Sequence, residues 1–298
     1  MSGCTLFGKL PWAADYVRIQ HVHPAALAFD AWLQASHQAL ALAGASWPSA
    51  PLRFVFAVRE ADAVLTGVLA PSRDRAGRKF PVAVFATLPG ALHARRLVRA
   101  PAAFTCFHEQ AARMLAEECV DRAQSEHALA SLVAPRAADL DASRDASITA
   151  SALAQALFDE APARNLVRVA AALARAVCDA GPRPQVLELP CRAPAHLTAW
   201  LSLLVSLPGR ADASPSLFWR AMDEAPRAWL SLAAPPASLL RAMTQPARRS
   251  ERLCVLADAP EGADAARLSA ALDEASYLLP TDAFFTHLVA AFLRGEAQ

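Results

Sequence analysis

In its first half the chain reads as short apolar runs separated by polar turns, with two flanking stretches of helical spacing, and in its second half helical spacing dominates. Cys4 to Phe7 predicts a short strand, after which Gly8, Pro11 and Asp15 mark a loop. Pro24 stands at a favourable first helical position, and Leu27, Trp32, Leu33, Leu40 and Leu42 carry an apolar face forward until Gly44. That spacing predicts a helix of about five turns. Leu52 to Val58 and Val64 to Ala70 are apolar runs joined by the polar Arg59, Glu60, Ala61, Asp62 stretch, the pattern of a hairpin. Phe80 to Ala86, rich in Val and Phe, supplies a further strand, and Pro71 to Lys79 between them is polar.

From Phe104 to about Arg122 helical spacing returns. Pro135 to Ser147 is polar and Ala-rich, with Asp139, Asp141, Arg144 and Asp145 in quick succession, and sets a predicted boundary between a domain over 1–140 and another over 141–298. In the second, helices are predicted at Ile148 to Phe158 and Arg164 to Ala180, the latter closed by Gly181 and Pro182. A strand at Gln185 to Leu189, a helix at Ala195 to Leu207, strands at Ser216 to Arg220 and Ala228 to Leu232, and a short helix near Ala237 to Met243 follow. The last predicted helix is capped by Thr281 or Asp282, buries Phe284, Phe285, Leu288, Phe292 and Leu293, and stops at Gly295. Strands early and helices late predict an α+β fold: an antiparallel sheet flanked by helices in the N-terminal half, with a helix-rich α/β C-terminal half.

Composition narrows the function classes. Of the 298 residues 55% are hydrophobic, too many for a disordered chain. The 72 alanines, and an Arg-rich basic set in which Lys9 and Lys79 are the two lysines, read as coding bias before chemistry. A balance of 29 basic against 28 acidic side chains removes the basic excess that nucleic acid or an anionic membrane usually requires. The longest uncharged runs are interrupted by Gln, His, Gly and Pro, and so predict buried helices, not membrane spans. The N-terminus has no apolar segment of signal-peptide length, which predicts a cytoplasmic protein. Six scattered cysteines, Cys4, Cys106, Cys119, Cys178, Cys191 and Cys254, form no Cys-x-x-Cys pair and predict buried free thiols.

Catalytic and cofactor patterns are sparse. Gly8-Lys9 lacks the preceding glycine and following Ser or Thr of a phosphate loop. His21 and His23 would share one side of an extended segment, yet no third metal ligand is placed, and a polar entry to the next helix accounts for them. Cys106 and His108 fall two apart on a predicted helix and so do not face each other. The acidic pairs Glu117-Glu118, Asp223-Glu224 and Asp273-Glu274 read as solvated faces. No cofactor, metal ligand set or catalytic residue is expected. The one polar constellation is Arg73, Asp74, Arg75, Gly77, Arg78 and Lys79. One reading is a hairpin connection in which Gly77 supplies positive φ and Asp74 bonds to the backbone. The other is a contact with an anion or partner, for which Arg offers planar donors.

The same segments resemble the TagF family of type VI secretion-associated proteins. The resemblance rests on Leu6-Phe7-Gly8-Lys9-Leu10-Pro11, Asp15-Tyr16-Val17-Arg18 and Phe29-Asp30-Ala31-Trp32-Leu33. It continues through Arg53-Phe54, Thr66-Gly67-Val68-Leu69-Ala70-Pro71-Ser72 and the signature-like Asp74-Arg75-Ala76-Gly77-Arg78-Lys79-Phe80-Pro81. It is thinner later, at Pro215 to Trp219 and Trp229-Leu230, where Phe218 stands in place of a second Trp.

The resemblance implies an N-terminal α+β domain similar to longin domains, and a non-enzymatic cytoplasmic accessory acting after translation to restrain assembly or firing of the secretion apparatus. Its implied partners are type VI components, among them the forkhead-associated scaffold protein. The expected partner-contact residues are Lys9, Asp15, Arg18, Arg73, Asp74, Arg75, Arg78 and Lys79. Phe7, Gly8, Pro11, Trp32, Gly67, Gly77, Phe80 and Pro81 are expected to be structural. Asp15, Asp74 and Arg78 fit an internal ion pair equally well. A phosphate- or phosphopeptide-binding module using the Arg73 to Lys79 loop, and an enzyme with a pocket near His21, His23 or Asp15, stand as the alternatives.

Overall fold

The computed structural model describes residues 3–20, 22–48, 50–89, 94–117, 119–142, 148–178, 186–208, 214–220, 227–244, 253–256 and 278–296. In chain order the elements are β1 (Cys4–Gly8), β2 (Val17–Ile19), α1 (Pro24–Leu42), β3 (Leu52–Val58), β4 (Ala63–Ala70), β5 (Val82–Pro89), α2 (Ala94–Leu97), α3 (Ala100–Ala103), α4 (Thr105–Ala116), α5 (Arg122–Ser131) and α6 (Ala137–Ala142). Then follow α7 (Ala150–Leu157), α8 (Pro162–Cys178), β6 (Val186–Pro190), α9 (Pro194–Ser206), β7 (Ser216–Arg220), β8 (Arg227–Ser231), α10 (Leu239–Thr244), β9 (Leu253–Val255) and α11 (Thr281–Glu296).

The nine strands form one sheet in the order β2-β1-β5-β4-β3-β7-β8-β6-β9. Every neighbouring pair is antiparallel except β6 with β9. This is the α+β arrangement that the strand-first, helix-later pattern predicts. The sheet runs unbroken across residue 140, because Leu52 to Val55 of β3 pair with Arg220 to Leu217 of β7.

Side-chain alternation along the strands divides the interior into two layers. Phe54, Phe56, Leu65, Phe85, Phe218 and Trp229 point to one face, where Phe29, Trp32 and Leu33 of α1 and Leu239, Leu240 and Met243 of α10 cover them. Val55, Val64, Leu187, Leu217, Trp219 and Leu230 point to the other, under α3, α7, α8, α9 and α11. On that same side Val68, Val84 and Ala86 meet Phe107, Ala111 and Met114 of α4. Phe29 lies 4.8 Å from Phe54, 5.1 Å from Phe56 and 5.4 Å from Phe85, ring centre to ring centre. Gly67, opposite both Phe54 and Phe85 in the register, is required by close approach: a Cβ there would stand 2.2 Å from the Val84 carbonyl oxygen.

Several local expectations are corrected. The helix expected from Phe104 to about Arg122 ends at Ala116, because Glu117 turns extended, and Asp121 accepts from the Gln124 amide at 2.8 Å to cap a separate helix that begins at Arg122. Gly295 does not stop the last helix, which continues to Glu296. The loop after Gly8 contains β2, whose three residues pair with β1. Burial of cysteines holds for Cys4 and Cys191, but Cys106 and Cys178 are exposed. Gly181, Pro182, Glu118, Asp223, Glu224, Asp273 and Glu274 lie outside the described residues. Among the described residues no helix is long and apolar enough to cross a membrane.

Candidate functional site

Strand β1 ends at Gly8, whose φ of +136° suits glycine and whose missing side chain lets the backbone of Pro81 and Val82 approach; a Cβ would lie 2.2 Å from the Pro81 oxygen. This close crossing brings the segment after β1 beside the 71–81 connection between β4 and β5. Lys9, next in the chain, turns inward and meets Asp74 at 2.9 Å, Nζ to Oδ2. Lys9 is 6% and Asp74 2% exposed, so neither is a surface contact in this fold.

Asp74 is fully subscribed. Its Oδ2 also accepts from Arg78 Nε at 2.7 Å, and its Oδ1 accepts from the amides of Ala76 and Arg78 at 3.0 and 2.9 Å. Burial by itself would raise its pKa, but the hydrogen bonds from Lys9 and from Arg78's amide and guanidinium, with Arg78's charge, outweigh it and hold the carboxyl well below the usual carboxylate range. Gly77, at φ +80°, closes the turn by donating to the Asp74 carbonyl at 2.9 Å. The hairpin-connection reading of this loop is therefore realised in the fold, with Asp74 and Arg78 in an internal ion pair.

The 9–16 loop and the 73–79 loop form one unit. The Arg75 amide donates to the Ala13 carbonyl at 2.8 Å, and Arg78 Nη2 donates to the Ala14 carbonyl. Trp12 Nε1 donates to Ser125 Oγ at 3.2 Å, tying the unit to α5. Beneath it, the buried Phe80 ring meets Tyr16, His37 and Phe7 edge-on at 4.8, 5.0 and 6.0 Å. Arg18 reaches Asp30 at 3.2 Å while its guanidinium covers the Phe7 ring at 5.2 Å. Asp15 is exposed and its carboxylate accepts from the Tyr16 amide at 2.8 Å. Gly67, Trp32 and Phe7 sit in the core, as the structural reading of those residues requires.

Arg73, Arg75 and Lys79 remain on the exposed side of the loop, and no carboxylate pairs with them among the described residues. Arg73 and Lys79 are antiparallel bridge partners, so their side chains leave the same face of the hairpin. Both line a groove of about 520 Å³ whose opposite wall is the end of α1 and the segment after it, with Leu40, Ala41, Trp47 and Pro48. Among the described residues no acidic side chain lines it. In its floor His37 accepts from Trp47 Nε1 at 2.9 Å, and burial, followed by the Lys9 charge, lowers the His37 pKa. The imidazole is thus neutral at neutral pH. A smaller groove of about 240 Å³, with Leu10, Met114 and Cys119 among its lining, opens on the other side of Arg73.

His37 and Trp47 were not singled out by sequence reasoning. A signal existed: Asp30, Leu33, His37 and Leu40 fall on one helical stripe, in which His37 is an unexpected polar member. His23 caps α1, its Nδ1 accepting from the Ala25 amide at 3.1 Å, which is the polar helix entry expected of it; His21 lies outside the described residues. Among the described residues no three His, Cys, Asp or Glu side chains form a group able to hold a metal ion.

Residues 5–132 match the family model described as the TagF N-terminal domain, type VI secretion system-associated. Among solved structures the chain is similar to PA0076 from Pseudomonas aeruginosa PAO1, at 19% sequence identity and a TM-score of 0.48, over 83% of this chain and 96% of that one. No curated protein matches the chain.

Proposed function

We propose, from the match of residues 5–132 to the model of the TagF N-terminal domain, described as type VI secretion system-associated, that this protein is a non-enzymatic cytoplasmic accessory that restrains type VI secretion after translation, by protein–protein contact. The family match over the first 132 residues is the observation that carries this reading. The chemistry of the loop and of two buried histidines supports a binding role over a catalytic one. General acid–base work needs a group that changes charge near the working pH. Asp74 is instead held ionised by Lys9 and Arg78, and burial lowers His108 to about 3 and His196 to about 4, leaving both neutral in the interior. The side chains left to face outward from the loop are cations, which suits recognition of another molecule.

The partner in this reading is a component of the secretion apparatus, and the forkhead-associated scaffold is the first to test. Tagged full-length protein is to be mixed with each purified type VI component in turn and analysed by size-exclusion chromatography. A direct complex with one of them is expected. Failure of every component to shift would contradict the proposal.

A further inference from the structure

We infer that the groove between the end of α1 and the 71–79 loop is a docking site for an acidic segment of a partner protein, one that seats an apolar side chain between Leu40, Trp47 and Pro48 and places carboxylates against Arg73 and Lys79. The inference names the contact surface for the regulatory reading above and rests on it for its biological setting. Its chemistry rests on the cations of the loop and on the apolar wall that faces them.

Two observations converge. Arg73 and Lys79 stand directly opposite each other on a two-stranded hairpin, where like charges repel. The fold supplies an acid inside this same loop, Asp74, but commits it to Lys9 and Arg78. Glu117 lines the neighbouring groove with Arg73 but forms no ion pair with it among the described residues, so the repulsion between Arg73 and Lys79 is left for an outside anion to relieve. The second observation is the apolar wall facing them, in a groove with no acidic side chain in its lining among the described residues. An occupant complementary to both halves carries negative charge beside an apolar anchor.

A carboxylate-bearing segment fits better than a phosphorylated one. Phosphate sites commonly recruit several backbone amides pointing at the anion. Here the amides of residues 74, 75, 76, 77, 78 and 80 all donate inside the protein, to Arg78, Ala13, Asp74, Asp74, Asp74 and Ser72 in that order. What remains is a pair of exposed cationic heads at a rim, suited to steering and pairing with carboxylates. A lipid surface is a poorer match, since membrane-binding clusters hold about four to eight basic residues on an outward face, whereas Arg78 is committed to Asp74 here and leaves Arg73, Arg75 and Lys79.

The test is a selection of random displayed peptides on immobilised full-length protein, followed by affinity measurement for the enriched peptides. Enriched sequences are expected to carry Asp or Glu beside an aromatic or aliphatic residue, with affinity that falls as salt rises. The double variant R73E/K79E should weaken binding about tenfold or more, because reversal replaces two rim attractions by repulsions. Arg75→Glu changes the charge of the same loop away from the groove and should have a much smaller effect. Ala41→Trp, which fills the groove and leaves both cations in place, should also abolish binding; thermal unfolding confirms that each variant is folded.

Peptides without acidic enrichment, or affinity indifferent to R73E/K79E and Ala41→Trp, would overturn the inference. So would binding only by phosphoserine versions of the peptides, or sedimentation with anionic phosphatidylserine vesicles in their place. Secretion in a deletion strain separates the two levels. If secretion changes on deletion but the groove variants bind normally, the docking site is wrong and the regulatory reading stands. If the groove binds as stated and deletion changes nothing, the reverse holds.

Discussion

Lys9 and Asp74, 65 positions apart in the chain, meet at 2.9 Å with both side chains buried, and this pair fastens the segment after β1 to the turn between β4 and β5. A buried charge that loses its partner is left desolvated without compensation. Asp74→Ala strands Lys9 and also removes the acceptor of two loop amides, whereas Lys9→Met leaves Asp74 with Arg78 and both amides. Asp74→Ala is therefore expected to lower the Tm by on the order of 10 °C, and Lys9→Met by clearly less. Because the folded-state pKa of Asp74 lies below its ordinary value of 3.8, its contribution to stability is full above about pH 4 and is lost as pH falls further. Asp74→Asn should flatten that acidic limb in pH-dependent thermal scans.

A second pH effect comes from the interior histidines. His108 packs edge-on against Trp219 at 5.1 Å, with Nε2 2.9 Å from Thr66 Oγ1, while its Nδ1 has no partner among the described residues. Burial, then the Arg53 charge, lowers it from 6.5 to about 3; burial, then Arg192, lowers His196 from 6.5 to about 4. The unfolded chain thus binds more protons than the folded one between these values. Stability is fully present above pH 6.5 and falls below it, with a slope approaching about 1.4 kcal/mol per pH unit for each group. Urea titrations of His108→Gln between pH 6 and 4 should lose about one proton's worth of that slope.

Gly67 and Gly77 are required for different reasons. A Cβ on Gly67 would collide with the Val84 oxygen and with Phe85, both on the adjacent strand, and cannot be relieved by turning a side chain. Gly67→Ala should cost about 3 kcal/mol or more. Gly77 has open space around it and pays only for its φ of +80°, so Gly77→Ala should cost about 1–2 kcal/mol. Equal losses in chemical denaturation would contradict this division.

Trp32 spans the two halves of the sheet. Its ring lies 5.3 Å from Phe56 of β3 and 5.1 Å from Phe218 of β7, and its buried Nε1 finds no acceptor among the described residues. Trp32→Ala should cost about 3–5 kcal/mol. Trp32→Phe keeps much of the packing and removes an unsatisfied donor, so a cost below about 1.5 kcal/mol is expected.

What was legible in the chain was local. The 52–58 and 64–70 runs announced their hairpin because both apolar period and polar connection lie within a few residues, and Asp74 with Gly77 announced a turn for the same reason. Pro24 likewise marked the true first residue of α1. The rest depends on tertiary register. Nothing near Lys9 signals that it will be buried, since its carboxylate arrives from residue 74. The pairing of β3 with β7 joins positions more than 160 residues apart, as in Leu52 with Arg220. The two short strands β2 and β9, three residues each, carry too little periodicity to stand out. The resemblance to TagF drew Lys9, Asp74 and Arg78 together with Arg73, Arg75 and Lys79 as one set, and only the fold separates the first three, which build the loop, from the other three, which it presents outward.

The central claim is that this chain restrains type VI secretion by contact. It is tested most directly by measuring type VI-dependent export from a secretion-competent strain with and without the gene, at unchanged levels of the apparatus proteins. Deletion should increase export and the wild-type copy should restore it, whereas export that stays the same after deletion would contradict the account.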